Sequence, residues 1–197
     1  MSSAIVELGQ HEHDLIGDII ADGFADDPVN LWAYQGTSGM RPVFTMLARH
    51  LYLPRGYGHK TADGSAGALW LPPDSSFDLP LWPSVQVAAT LLKHGGMRSV
   101  ANILKLDAFM KSRKPKARYH YLFAISVRAD RQGQGLGGAL MREGLKRADA
   151  DRLPAYLESS KASNVPFYRA HGFEVIEEVV PAAGCPPMWR MWRETRP

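Results

Sequence analysis

Four glycines in six residues, Gly133-Gln134-Gly135-Leu136-Gly137-Gly138, stand between a near-continuously apolar run, Tyr119 to Val127, and a helical stripe of Leu136, Leu140, Met141, Leu145 and Ala148. The apolar run is rich in aromatic and β-branched residues, as expected of a central strand covered on both faces. Along the stripe, Arg142, Glu143, Lys146, Arg147 and Asp149 face the other way, so that helix packs one face on a sheet. Glycines let the chain turn between the two without Cβ clashes. Several backbone N–H groups can then converge on one anion, and the helix that follows offers its positive end. The junction is suited to a phosphate-bearing ligand.

Two readings of the loop compete. Gly133 to Gly138 spells G-x-G-x-x-G, and Glu158 lies 20 residues beyond Gly138, as in a dinucleotide-binding fingerprint. In that fold the first glycine closes the turn at the strand's end. Here Arg128 to Gln132 intervene after Val127, and too little chain follows to build the remaining parallel βαβ units. A nucleotide-dependent oxidoreductase therefore fits poorly. Read from one residue earlier, Gln132-Gly133-Gln134-Gly135-Leu136-Gly137 fits Q/R-x-x-G-x-G/A.

The rest of the chain supplies the frame. Ala4 to Leu8 alternates like a strand. Leu15, Ile16, Ile19, Ile20 and Phe24 recur at helical spacing until Asp27-Pro28 ends the run. A second helical pattern spans about Gly39 to Leu53, and Tyr57 to Ala62 with Ala66 to Leu71 reads as a hairpin around Asp63-Gly64. From Leu79 to Lys111 the spacing is helical, interrupted at Gly95-Gly96. Pro154 precedes a strand through Glu158. Asn164 can cap a short helix that carries Phe167 and Tyr168, tolerates Pro166 in its first turn and ends at Gly172. Phe173 to Val180 and Met188 to Arg193 read as two last strands.

In this order the strand H-Y-L-F-A-I-S-V, the glycine loop, the amphipathic helix, the strand Y-L-E-S-S and N-V-P-F-Y-R-A-H-G-F resemble the GNAT superfamily of N-acetyltransferases. Through F-A-D-D-P, A-L-W-L-P-P and L-E-S-S followed by N-V-P-F-Y, the chain is most similar to puromycin N-acetyltransferase-like members. Residues 72–118 follow the pattern only loosely. The resemblance implies one domain over residues 1–197, a mixed α/β fold with a largely antiparallel sheet splayed near its middle, and helices on both faces. It implies acetyl-CoA as cosubstrate and a primary amine, on a small molecule, as acceptor. A pyrophosphate loop is implied at Gln132, Gly133, Gln134, Gly135, Leu136, Gly137 and Gly138. Main-chain groups around Ile125, Ser126 and Val127 would pair with the pantetheine arm, Asn164 would touch the cofactor, and Tyr168 would protonate the departing thiolate. A non-catalytic acyl-CoA-binding or sensing module would keep the loop and could dispense with Tyr168.

Acyl transfer from a thioester to an amine needs a held thioester, a neutral amine, help for the oxyanion and a proton for the leaving thiolate. A phenol such as Tyr168 suits the last task because its reference pKa is about 10. For the base, Glu158 at the end of an apolar strand is the first candidate, since partial desolvation raises a carboxyl pKa; a structural hydrogen bond is its plainer role. His120 is the runner-up. Asp26 and Asp27 either attract a cationic amine or cap and terminate the first helix, and Arg128 and Arg131 flank the loop. Trp32, Tyr34, Trp70 and Trp82 are candidates for an acceptor cavity, with core packing as the default.

Composition narrows the setting. Apolar residues at 45% and charged residues at 22% exclude a disordered chain. A single cysteine, Cys185, forms no intramolecular disulfide, has no activating base beside it and suggests a reducing, cytoplasmic home. No cysteine–histidine spacing suggests a metal. The N-terminal M-S-S-A-I-V-E-L-G-Q lacks the marks of a signal peptide, and no long apolar stretch suggests a membrane span. The basic run Lys111, Arg113, Lys114, Lys116 and Arg118 lacks interleaved aromatics and reads as a solvated linker rather than a nucleic-acid surface. Monomer and homodimer are both compatible with this chain.

Overall fold

The computed structural model describes residues 4–195; the outermost residues of the expected domain, and the first three of the N-terminal stretch, lie outside the described residues. The chain runs β1 (Ile5–Glu7), α1 (His13–Gly23), α2 (Pro28–Tyr34), α3 (Met40–Leu47), α4 (Leu53–Arg55), β2 (Tyr57–Thr61) and β3 (Ala66–Leu71). It continues through α5 (Leu81–Ser112), β4 (His120–Val127), α6 (Leu136–Ala150), β5 (Ala155–Ser159), α7 (Val165–Ala170), β6 (Glu174–Val179) and β7 (Met188–Arg193). The strands form one seven-stranded sheet in the order β1-β2-β3-β4-β5-β7-β6. Every neighbouring pair is antiparallel except β4 with β5. The mixed fold with a largely antiparallel sheet expected from sequence is the fold observed.

Two cores cover the two faces, and β3 shows why its sequence is apolar throughout. Leu69 and Leu71 join the core built with Ile16, Ile19 and Ile20 of α1 and with Phe44 of α3. Ala66, Ala68 and Trp70 join the opposite core with Leu140, Met141 and Leu145 of α6. Strand side chains alternate between faces, so a strand buried on both sides loses the polar half of its pattern.

Three expectations about local structure need correction. Asp27-Pro28, read as a stop, starts α2: the Asp27 Oδ1 accepts from the Asn30 N–H at 2.8 Å, and Pro28 takes the first helical position. A carboxylate cap followed by proline is a start signal, because the first-turn amides have no helical partner to lose. The helix read over 39–53 contains a π-turn, Ala48–Tyr52, between α3 and α4. Asn164 precedes α7 but makes no side-chain cap, because a 3₁₀ turn at Ala162–Asn164 leads into the helix and holds its backbone in the helical region. The break expected at Gly95-Gly96 is present, with Gly96 at φ 66° and ψ −168° inside α5.

Candidate active site

The sheet opens at its parallel pair. β4 and β5 are joined only at His120–Ala155 and Tyr121–Tyr156, after which the strands separate. On its other edge β4 pairs Leu122 with Trp70 and Ala124 with Leu69, so Phe123 is an extra residue and forms a bulge. A bulge bends the strand and reverses the phase of the side chains beyond it. Tyr121 and Phe123 accordingly pack with the α1 and α3 core, whereas Ile125 and Val127 pack with the α6 core. From Leu122 onward the edge of β4 that faces β5 has no strand partner.

Two cavities take part of their lining from β4, one on each side of Ala124 along the strand. The first, of about 400 Å³, is lined by Ile125, Ser126 and Val127 of β4, the whole loop Arg131–Gly138, and Asn164, Phe167 and Tyr168 from the α7 region. Every loop, strand and α7 residue singled out from sequence for cofactor contact lines this one space, together with Tyr168. The Ser126 hydroxyl donates to the Ile19 carbonyl at 2.8 Å, so its side chain is tied to α1.

Within the loop, Gly133 and Gly135 have φ of 76° and 77°, a conformation that costs an L side chain about 1–2 kcal/mol. The first bond of α6 runs from Ala139 N to the Gly135 carbonyl at 3.1 Å, so the amides of Leu136, Gly137 and Gly138 precede it and are available to an anion. Gln132 Nε2 donates to the Val127 carbonyl at 3.3 Å and holds the loop to the end of β4. Arg131 lines the cavity and is anchored to Asp63 at 3.2 Å. Arg128 instead pairs with Asp18 at 2.8 Å and stands outside the lining.

Tyr168 is buried, and burial first, with the Asp27 carboxylate second, pushes its hydroxyl above the ordinary phenol range. It keeps its proton at neutral pH. Asp27, buried, lines this cavity too; its carboxylate accepts from Ser160 Oγ as well as capping α2, and Lys161, also in the lining, pairs with Asp26. Sequence reasoning gave no role to Lys161, which carries no motif, or to Ser160, which entered only as part of L-E-S-S.

Glu158 lies in the second cavity. This space of about 360 Å³ is walled by α3, α5 and the first half of β4, with Tyr34, Phe44, Tyr52, Phe77, Tyr121 and Phe123 among its aromatic side chains. Desolvation raises the Glu158 carboxyl to about 7, against the opposing pull of the Tyr156 and Tyr121 hydroxyls and the charges of Arg190 and Lys114. Its Oε2 is buried without a hydrogen-bond partner among the described residues. That oxygen makes no hydrogen bond to nearby backbone.

The remaining candidates separate cleanly. His120 is fully buried, with Nδ1 3.0 Å from the Tyr57 hydroxyl and Nε2 3.0 Å from Asp151 Oδ2, and lines neither cavity. Of the four aromatics proposed for an acceptor cavity, Tyr34 lines the second cavity; Trp70 is fully buried against α6, Trp82 is exposed, and Trp32 packs beside the core. Cys185 is buried, and its thiol is pushed up to about 11, mainly by desolvation. The basic run is largely paired: Lys111 with Asp78 and Asp107, Arg113 with Glu177, Arg118 with Asp74. Among the described residues no helix is long and apolar enough to cross a membrane.

Comparison with known proteins agrees with this geometry. Residues 100–175 match the family model of the acetyltransferase (GNAT) domain. The chain is 26% identical over 168 residues to the uncharacterized N-acetyltransferase C550.08 of Schizosaccharomyces pombe, covering 78% of this chain and 67% of that protein. A Corynebacterium glutamicum structure described as histone acetyltransferase HPA2 and related acetyltransferase superposes with a TM-score of 0.74 at 21% identity, over 100% of this chain and 98% of that one. Arylalkylamine N-acetyltransferase 2 from Aedes aegypti superposes with a TM-score of 0.65 at 12% identity, over 100% of both chains.

Proposed function

We propose that this chain, which has the GNAT fold and whose residues 100–175 match the GNAT acetyltransferase domain model, transfers an acetyl group from acetyl-CoA directly to a primary amine of a small molecule. The observation that carries the proposal is the separation of β4 from β5 beyond Tyr121–Tyr156, with the freed part of β4 lining both a cavity that holds the glycine loop and Tyr168 and a cavity that holds Glu158. The GNAT family uses acetyl-CoA, which when bound supplies an activated thioester. Positive-φ glycines and the unpaired first-turn amides of α6 fit a pyrophosphate, and the free edge of β4 fits an amide-bearing arm.

The residues then divide the work. Loop residues Gln132–Gly138, with Asn164 at the rim, hold the cosubstrate, and the main chain at Ile125–Val127 orients the thioester and polarises its carbonyl. Glu158, poised near neutrality, takes a proton from the amine, directly or through water. Tyr168 gives a proton to the departing thiolate. The amine attacks the carbonyl carbon, the C–S bond breaks as the tetrahedral intermediate collapses, and amide and thiol leave with no acyl-enzyme. The segments F-A-D-D-P, A-L-W-L-P-P and L-E-S-S with N-V-P-F-Y support kinship with puromycin N-acetyltransferase-like members. The names of the S. pombe and A. aegypti proteins support an amine acceptor. A buried lone cysteine suits a cytoplasmic setting.

Calorimetry with acetyl-CoA, controlled by NADH and desulfo-CoA, tests the cosubstrate, and free-thiol release over a panel of amines tests the reaction. Binding together with amine-dependent thiol release that collapses in Tyr168→Phe supports the enzyme. Binding without turnover of any amine favours an acyl-CoA sensor, and absence of binding sinks the reading.

A further inference from the structure

The second cavity has a charge pattern that selects among amines. Four ionisable side chains besides its tyrosines line it: Glu158, Asp107, Lys111 and Lys114. Asp107 is already engaged, because Lys111 Nζ lies 2.9 Å from it and 2.8 Å from Asp78. Lys114 sits over the Phe77 ring, 2.9 Å from its centroid, and is partly buried there. Arg190, whose charge also reaches Glu158, is held by Glu177, the Tyr156 hydroxyl and the Arg113 carbonyl. Glu158 is thus the one lining carboxylate with no ion pair among the described residues, and its Oε2 is buried and unpartnered. A buried polar atom left unpaired costs free energy unless a ligand supplies the partner.

The rest of the lining is largely rings and aliphatic chains, including Tyr52, Phe123, Val87, Leu91 and Ile103. A volume of about 360 Å³ is within the ordinary range for a small-molecule pocket. Building on the acetyltransferase reading, we propose that the acceptor is a monoamine carried on an aromatic or otherwise apolar body, with its nitrogen at Glu158 and its body against this wall. Polyamines fit badly, because a second cation would be directed at Lys111 and Lys114, while the other carboxylate is spent on Lys111. Peptides fit badly, because their amide groups would lie unpaired against hydrocarbon.

The test measures binding to the full chain, by calorimetry with desulfo-CoA present, and thiol release from acetyl-CoA. The probes are 2-phenylethylamine and 2-(1-naphthyl)ethylamine against spermidine, agmatine and a lysine-containing tetrapeptide. Aryl monoamines are expected to bind saturably and to turn over with kcat/KM at least tenfold above the others. Ala88 lines the cavity from an exposed position of α5, so Ala88→Trp fills the space without disturbing the core. This variant is expected to weaken aryl-amine binding at least tenfold and leave acetyl-CoA affinity unchanged. Preference for a polyamine or the peptide, no saturable aryl-amine binding, or binding indifferent to Ala88→Trp each overturns the inference. The two readings fail separately: thiol release with other amines would keep the acetyltransferase, whereas aryl-amine binding lost in Ala88→Trp without any acetyl-CoA binding would keep only this ligand assignment.

Discussion

Tyr121 and Tyr156 form the last rung joining β4 to β5, with their Cα positions opposed and their rings 6.1 Å apart. Both line the second cavity, where their hydroxyls lower the Glu158 pKa against the stronger effect of burial. Removing one hydroxyl removes part of that support for the carboxylate. Tyr156→Phe should therefore move the acidic midpoint of the kcat/KM–pH profile upward from about 7. A midpoint that stays put or falls would detach Glu158 from the rate.

Tyr168→Phe keeps the ring, which packs edge-on with Phe173 at 6.2 Å, and deletes only the hydroxyl. General-acid contributions run at about 10²–10⁴-fold, so kcat should drop by about 10² or more. Acetyl-CoA affinity and Tm should change little. A kcat within threefold of the parent chain would reassign the proton to water or to another group.

Gly135 sits at φ 77° with nothing within 4 Å of where a Cβ would stand. Gly135→Ala therefore meets no neighbour, and its cost is backbone strain of about 1–2 kcal/mol. If the loop relaxes to escape that strain, its amides lose their common aim. Acetyl-CoA affinity measured by calorimetry should fall about tenfold. Unchanged affinity would mean that the loop's conformation is not what holds the pyrophosphate.

The same residues explain what was legible in the sequence. The loop, β4, α6 and Tyr168 carry local signals: glycine spacing, an unbroken apolar run, a helical stripe and a proline-started helix. These lie within residues 119–172, and the structure brings the named side chains to one cavity. The second cavity was not legible because its wall comes from Tyr34, Phe77, Asp107, Tyr121 and Glu158, which are distant in sequence and share no period. Asp27-Pro28 misled for a different reason. The same pair can end one helix or begin the next, and only the Asn30 N–H bond decides. Trp70 could not be told from a cavity aromatic, because its burial depends on a glycine far along the chain.

That glycine is Gly144 of α6, where an added Cβ would lie 2.4 Å from Trp70 Nε1. Both residues are buried, so neither the indole nor the helix can move without disturbing the core between them. Overpacking of this kind costs about 1–3 kcal/mol. For a chain of this size Gly144→Ala should lower Tm by roughly 3–10 °C while leaving acetyl-CoA affinity intact. An unchanged Tm would show that α6 shifts freely over the sheet.

Glu158 should also leave a mark on folding stability, with a sign that identifies it. Burial raises its carboxyl to about 7 in the folded chain, against an ordinary value of about 4.5 when unfolded. Between those values the folded state binds more protons, so stability is full below about 4.5 and is lost as pH rises through about 7. A shift of that size corresponds to about 3 kcal/mol by 7 and above. Glu158→Gln cannot ionise and escapes the loss. Relative to the parent chain, the variant should gain stability in denaturant titrations at pH 8 compared with pH 5, while its amine turnover falls. A stability difference independent of pH would mean that water reaches the carboxylate freely, and would remove the physical basis for its poise near neutrality.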